Sequence, residues 1–310
     1  LLLVIIGCGI GRLGYSVWQK NEALNEAAYI VIDKGTSSSQ VAQQLFEAKI
    51  IRSPWLFRIT ARLCGLDKQL KAGEYEFQSA VSIYDVVQKL AKGEVIYRKL
   101  TLPEGLTTAQ MLHLIDTHPF LTGTINTPVR EGELLPETYT FARGTDKNNL
   151  IKRAKEAMSQ AVNEAWERRA SNLPLRNKNE LLILASIIEK ETGLEEEREM
   201  VASVFVNRLN KKMKLQTDPT VIYALTLGQK DLERPLTRHD LAIDSPYNTY
   251  MYAGLPPEPI CNPGKASLQA AGNPAQTPYL YFVANGLGGH NFAVSLKEHN
   301  KNVRNWKNKP

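Results

Sequence analysis

The sequence predicts an α+β protein in three parts: an apolar N-terminal segment over residues 1–20, a small α+β module over 29–96 and a larger α+β domain over 97–310. Three observations predict it. The chain opens with LLLVIIGCGIG, an apolar run. Short alternating segments, such as Ala72-Gly73-Glu74-Tyr75-Glu76-Phe77, stand among helical periodicities without a regular β-α repeat. A length of 310 residues accommodates two or three domains and a sizeable core.

Leu1 to Trp18 begins strongly apolar and then becomes mixed. A membrane-spanning helix takes ~20 apolar residues. The visible run is short by itself, but the chain opens without Met, and upstream residues would complete a single N-terminal membrane anchor. A cleaved signal peptide is the second reading. Ile5-Ile6-Gly7-Cys8 also fits a loose lipoprotein cleavage pattern. The same stretch holds a literal G-x-G-x-x-G, Gly9-Ile10-Gly11-Arg12-Leu13-Gly14, and Tyr29-Ile30-Val31-Ile32-Asp33 follows as a strand ending in an acid, as in a dinucleotide site. Against dinucleotide binding, the chain begins inside the supposed first strand, and the segment after Asp33 does not alternate β and α. It stands as a runner-up.

Asn21 to Ala28 reads as a short stalk. Tyr29 to Asp33 is a strand, and Ser37-Ser38-Ser39 offers a cap for a helix over Gln40 to Ala48, with Val41, Leu45 and Phe46 as its apolar face. Pro54 to Leu63 is a second helix, residues 72–77 a strand, and Ser82 to Ala91 a third helix with Val86, Val87 and Leu90 inward. Strand, helix, helix, strand resembles a LysM-like module, a peptidoglycan-binding type. A structural spacer is the alternative.

Beyond it, Ile96 to Pro103 reads as a strand and Thr107 to Ile115 as a helix. Glu131 to Phe141 alternates acids and aromatics, which suits a hairpin edge somewhat better than a groove. Lys147 to Ala170 is a long amphipathic helix whose stripe of Leu150, Ala154, Met158, Ala161 and Ala165 is core packing. Asn177 with Glu180 makes a capping-box-like start for a helix over Asn177 to Thr192, stopped at Gly193. Glu195 to Lys211 is a further helix, acidic at its start and basic at its end, as the helix dipole prefers.

A net charge of +6 and a pI near 9.0 favour anionic partners, although on charge alone a slightly basic soluble surface explains them better. Nothing resembles a nucleic-acid-binding motif. Three cysteines, Cys8, Cys64 and Cys261, form no C-x-x-C or Cys/His cluster, and the five histidines show no H-E-x-x-H, so no metal or cofactor is expected. A single Cys64–Cys261 bridge is left open.

The chemistry concentrates between Leu181 and Leu225. The helix carries Glu189 and Glu191 on its last turn. Glu189 shares a face with Leu182, Ala185 and Ser186 and lies near the negative end of the helix. Desolvation and the dipole both favour its protonated form, which a general acid needs. Glu191, on a face with Leu184, Ile187 and Ile188, meets the same logic, so periodicity does not choose between them. The plainer alternative pairs both acids with Lys190 or Arg198. Downstream, Gln216, Asn248 and Asn285 carry amides suited to N-acetyl and hydroxyl groups. Tyr223, Tyr250 and Tyr252 offer faces for sugar rings, or for core packing. Asp218 beside Gln216 and Thr217 either caps the next helix or meets substrate. His290 follows the turn Gly288-Gly289.

Several longer motifs lie in order. They include Ala185-Ser186-Ile187-Ile188-Glu189-Lys190-Glu191-Thr192, Val201-Ala202-Ser203-Val204-Phe205-Val206-Asn207-Arg208-Leu209 and Leu215-Gln216-Thr217-Asp218-Pro219-Thr220-Val221-Ile222-Tyr223. Tyr247-Asn248-Thr249-Tyr250, Gly254-Leu255-Pro256-Pro257, Asn262-Pro263-Gly264, Thr277-Pro278-Tyr279-Leu280-Tyr281-Phe282-Val283-Ala284 and Gly288-Gly289-His290-Asn291-Phe292 follow. Together they resemble the endolytic murein transglycosylase (YceG-like) family, strongly from about 147 to 303 and more loosely over 29–146. The resemblance places the catalytic glutamate on Glu189, with Gln216, Thr217, Asp218, Tyr223, Asn248, Tyr250, Asn285 and His290 as candidate substrate-binding residues.

The family's reaction is a lyase reaction on peptidoglycan glycan strands. One carboxyl group protonates the oxygen between N-acetylmuramic acid and N-acetylglucosamine. It then activates the muramoyl 6-hydroxyl to close a 1,6-anhydro ring without water, ending a nascent strand. The resemblance further implies a bacterial inner membrane location, single-pass, with the catalytic domain in the periplasm or outside the cell, and peptidoglycan synthases as partners. A non-catalytic peptidoglycan-binding protein and a lysozyme-type hydrolase are the alternatives.

Overall fold

The computed structural model describes Tyr15 and residues 17–19, 26–78 and 81–307. Most of the proposed anchor, Cys8 and the Gly9–Gly14 motif lie outside the described residues. Among the described residues no helix is long and apolar enough to cross a membrane. The chain forms two units. One takes Leu1–Lys99, Phe120–Thr122 and Thr140–Thr145; the other takes Leu100–Pro119, Gly123–Tyr139 and Asp146–Pro310.

The first unit runs β1 (Ala28–Ile32), α1 (Ser38–Glu47), α2 (Pro54–Leu63), β2 (Gly73–Phe77) and α3 (Ile83–Lys92). β1 and β2 pair antiparallel, with Ile30 opposite Tyr75 and Ile32 opposite Gly73. The period-2 alternation sends Ile30, Ile32, Tyr75 and Phe77 to the core, where Val41, Leu45, Phe57, Val86, Val87 and Leu90 meet them. Phe46 is the exception to the expected inner face. It lies one residue off the stripe and is exposed, while Ala42 fills that position. β1 pairs antiparallel with β2, which does not favour the dinucleotide reading, a parallel β-α-β arrangement. The caps are local: Ser37 and Ser82 form capping boxes, Ser53 precedes Pro54 at the first helical position, and α3 ends on Gly93 in the left-handed conformation.

β3 (Tyr97–Thr101), α4 (Thr108–Asp116), β4 (Leu121–Thr122), β5 (Thr138–Ala142) and β6 (Thr145–Asp146) lie along the stretch where the chain passes between the units. The second unit continues with α5 (Lys147–Glu167), α6 (Lys178–Glu191), a 3-10 turn (Glu195–Glu197), α7 (Arg198–Asn210), α8 (Asp218–Thr226), a 3-10 turn (Asp240–Ala242), α9 (Lys265–Gly272), the antiparallel hairpin β7 (Tyr281–Ala284) and β8 (His290–Ala293), and α10 (Leu296–Lys307). α6 is the central helix. Leu181, Ile183, Leu184, Ala185, Ile187 and Ile188 are all buried, because its apolar residues cover nearly the whole circumference. α5, α7 and α9 surround it, and the expected stripe of α5 is buried throughout.

Four local expectations are corrected. Asn177 accepts from the Glu180 amide, but the Glu180 side chain turns to Arg176 instead of back to Asn177, so only half of the capping box exists. α6 ends through an extended Thr192, not through a left-handed Gly193. The expected helix over Glu195 to Lys211 is divided into a 3-10 turn and α7. Asp218 is the first residue of α8, not its cap. Cys64 and Cys261 are both free thiols, one exposed and one buried.

Candidate active site

Glu189 and Glu191 leave the end of α6 on opposite sides, because two residues turn the helix by about 200°. Glu191 enters a cleft of about 420 Å³ lined also by Arg208, Leu215, Gln216, Asp218, Tyr250, Tyr281, Phe282, Val283, Leu296 and His299. The Thr217 hydroxyl donates to Glu191 Oε1. Burial pushes the Glu191 carboxyl up from 4.5 to about 7. The negative Asp218 adds to the rise, while the Thr217 bond, His290 and Arg208 oppose it. A carboxyl group that titrates near neutrality in a cleft both gives and takes a proton readily.

Glu189 has a different setting. Its Oε2 accepts the Gly264 amide at 2.8 Å, where Gly264 caps α9, so the side chain ties α6 to α9. Nearby Glu104 is pushed up by its own burial and by the negative Glu189, and is drawn down by Arg198. Arg198 Nη2 lies 3.8 Å from Glu104 Oε2. Glu189 does not line the Glu191 cleft.

The loop before α8 places the cleft's polar wall. Gln216 is held in the left-handed region, φ +51°, and its amide donates to Thr249 O at 3.2 Å. The Thr217 amide donates to Thr249 Oγ1 at 3.1 Å, and Thr220 and Thr249 hydroxyls meet at 2.8 Å. Asp218 Oδ1 accepts the Tyr250 hydroxyl at 2.6 Å; burial and this carboxylate both raise the phenol's pKa. Arg208 is buried in α7 and pinned from two directions, donating to Leu280 O at 2.7 Å and to Leu215 O at 2.6 Å.

The other residues expected in the site serve different ends. Tyr223 donates to Glu131 at 3.2 Å and packs its ring 4.9 Å from Tyr247, within a buried network that also fixes the Thr108 amide. Asn248 is fully buried. Its amide donates to Leu241 O and Ile243 O and accepts from the Tyr250 amide, which shapes the loop behind Tyr250. Asn285 accepts the Leu287 and Gly289 amides within the β7–β8 turn. His290 is bound to Glu197. The structure therefore gathers Gln216, Thr217, Asp218 and Tyr250 at Glu191, brings His290 near enough to act on its charge, and leaves Glu189, Tyr223 and Asn248 elsewhere. Sequence reasoning missed Arg208, Tyr281, Phe282 and His299. A buried-face arginine just beyond the apolar Val204-Phe205-Val206 stretch, one turn on from Val204, was the available signal for Arg208. Two larger grooves, of about 840 and 600 Å³, lie at the opposite end of α6 and share Lys178, Asn179 and Pro257.

Comparison with known proteins follows this geometry. The sequence is 35% identical over 306 residues to the endolytic murein transglycosylase of Bacillus subtilis (strain 168), covering 88% of this chain and 82% of that one. It is 29% identical over 326 residues to the endolytic murein transglycosylase of Streptococcus pneumoniae serotype 2 (strain D39 / NCTC 7466), covering 90% of this chain and 58% of that one. The 2.6 Å crystal structure of a yceG-like protein from Listeria monocytogenes is 34% identical, with a TM-score of 0.54 over 89% of this chain and 99% of that one. The YceG-like family pattern matches residues 30–305, and the chain belongs to that family.

Proposed function

We propose that this chain is a peptidoglycan lytic transglycosylase, a lyase, in which one carboxyl on the last turn of α6 is both acid and base; the family resemblance assigns Glu189, and the cleft geometry favours Glu191. Relatives named endolytic murein transglycosylase support the activity. The observation that carries the residue is the enclosed Glu191 carboxyl, bonded to Thr217 in a cleft with amide, phenol and guanidinium walls. Glu191 gives its proton to the glycosidic oxygen as the muramoyl C1–O bond breaks. The resulting carboxylate takes the proton of the 6-hydroxyl as O6 bonds to C1. The proton returns to Glu191 and no water is consumed. One group serves both steps, unlike the paired carboxyls of most glycosidases. Gln216 and Tyr250 are the candidate sugar contacts of this cleft, and Asn248 and Asn285 shape the loops behind it.

The test digests uncrosslinked glycan strands and weighs the new ends. Ends one water lighter than hydrolysed ends establish the reaction. Glu191→Gln lowers the rate by at least ~10²-fold, the usual contribution of a general acid, while Glu189→Gln stays within ~10-fold of the parent. The reverse ranking returns the role to Glu189, and hydrated ends mean a hydrolase.

The same reading takes the first unit as a LysM-like glycan-binding module, supported by its β1-α1-α2-β2 order and antiparallel strands. It takes residues 1–20 as a single inner-membrane anchor, supported by their apolar run, which keeps the active site beside membrane-bound peptidoglycan synthases. Extraction of the full chain from membranes by detergent, but not by carbonate, is the expected result.

A further inference from the structure

The outer face of α2 does not read as a solvent face. Leu56, Phe57, Thr60 and Ala61 form its core side and are all buried. At about 100° per residue the other side carries Arg58, Arg62, Trp55, Ile59 and Leu63, in that order around the helix. A side turned to water ordinarily carries polar residues and charges. Here Trp55 is 59% exposed, Leu63 is 82% exposed and Ile59 is half-buried, and the only charges are two exposed guanidinium groups. Neither Arg58 nor Arg62 has an ion-pair partner among the described residues. No acid stands between Glu47 and Asp67, whereas Lys49, Arg52, Arg58 and Arg62 do. The chain before β1 reaches the same region. Trp18 stacks on Tyr84 of α3 at 4.4 Å, and Val17 packs on the core of this unit. α3 in turn packs on α2, so the end of the apolar 1–20 segment is held one helix away from this face.

We propose that the outer face of α2 docks on an anionic lipid surface, with Trp55, Ile59 and Leu63 in the headgroup layer and Arg58 and Arg62 on lipid phosphates. The inference rests on the anchor reading above for its location. Tryptophan settles at such an interface because its ring is apolar and its N–H polar. Arginine buries its stem there and keeps its head at the phosphates. A helix of 10 residues is only about 15 Å long, a small part of the ~800 Å² per partner that a stable protein interface takes. It suffices for shallow docking once an anchor holds the unit beside the bilayer.

The test uses the whole chain with vesicles of phosphatidylglycerol or of phosphatidylcholine. Cys64, exposed and free just past Leu63, takes a nitroxide label in a Cys8→Ser background, while Cys261 is buried. Relaxation by a water-soluble nickel chelate reports whether the label is covered. It is expected to be covered on phosphatidylglycerol and exposed on phosphatidylcholine, and salt at about 1 M uncovers it. Arg58→Gln/Arg62→Gln lowers the docked-to-undocked ratio about 20- to 30-fold, at roughly 5-fold per basic residue. Arg58→Lys/Arg62→Lys keeps most of it, and Trp55→Gln/Leu63→Gln lowers it at least ~10-fold. A label exposed on both lipids, or covered on both regardless of the arginines, overturns the proposal. So does covering by peptidoglycan sacculi without lipid, which gives the face to glycan instead. Flotation separates this inference from the anchor. A chain that floats with phosphatidylcholine is anchored whatever the label reports. A chain that floats only with phosphatidylglycerol, its label covered, keeps the α2 surface and loses the anchor. Flotation with neither overturns both.

Discussion

Glu189 and Glu191 are two positions apart and chemically identical, and their surroundings separate them. Glu189 accepts a backbone amide at the start of α9, whereas Glu191 faces a cleft with Thr217 bound to it. Two substitutions test that environment in opposite directions. Thr217→Val removes a donor that favours the charged form, so the alkaline limb of the pH–rate profile moves to higher pH. Asp218→Asn removes a negative neighbour, so the limb moves to lower pH. Shifts of the same sign in both variants would exclude Glu191 as the titrating acid. At this scale the sequence showed two carboxylates on a helix end and a polar loop to face them. Which of them meets the cleft depends on the course of the chain at 215–218 and 262–264, which helical periodicity does not contain.

Elements were the most legible level. Ser37, Ser53, Ser82, Thr107 and Asn177 each stand where a helix begins, and each side chain accepts an amide of the first turn. Asn177→Ala is expected to lower unfolding stability by ~1 kcal/mol in urea titration, the ordinary cost of a lost cap. Leu184→Ala, at a fully buried position of α6, is expected to cost ~2–5 kcal/mol and to loosen the helix that carries Glu191. Equal effects of the two would contradict the central place of α6. What failed at this scale were the turns. Whether Glu180 reaches back to Asn177 or out to Arg176 is decided by the preceding loop. The break between the 3-10 turn and α7 sets Glu197 against His290.

At the scale of the whole molecule, the raised Glu191 carboxyl makes stability depend on pH. Its folded value of about 7 lies above the ordinary 4.5, so between these values the native chain holds a proton that the unfolded chain releases. The group's contribution is therefore complete below 4.5 and declines as pH rises toward 7, by about 3 kcal/mol if the whole shift is realised. Glu191→Gln removes the term, so the variant gains stability relative to wild type between pH 4 and 8. A difference that is flat with pH, measured by urea unfolding at both ends, would mean that the carboxyl is not enclosed. Asp240, held far below the ordinary range by Arg234 and Thr237, has the opposite sense, its contribution being lost as pH falls. It is common to both proteins and cancels in the comparison.

The sequence by itself determined the mixed α+β composition, most of the helices, the buried stripe of α5 and the family, because these depend on spacing along one chain. The tertiary structure alone decided which glutamate meets the cleft, that Tyr223 and Asn248 turn away from it, and that Arg208 and Phe282 line it. Those relations join residues tens of positions apart, and they follow from how α6, α7 and the β7–β8 hairpin pack, which no local pattern encodes.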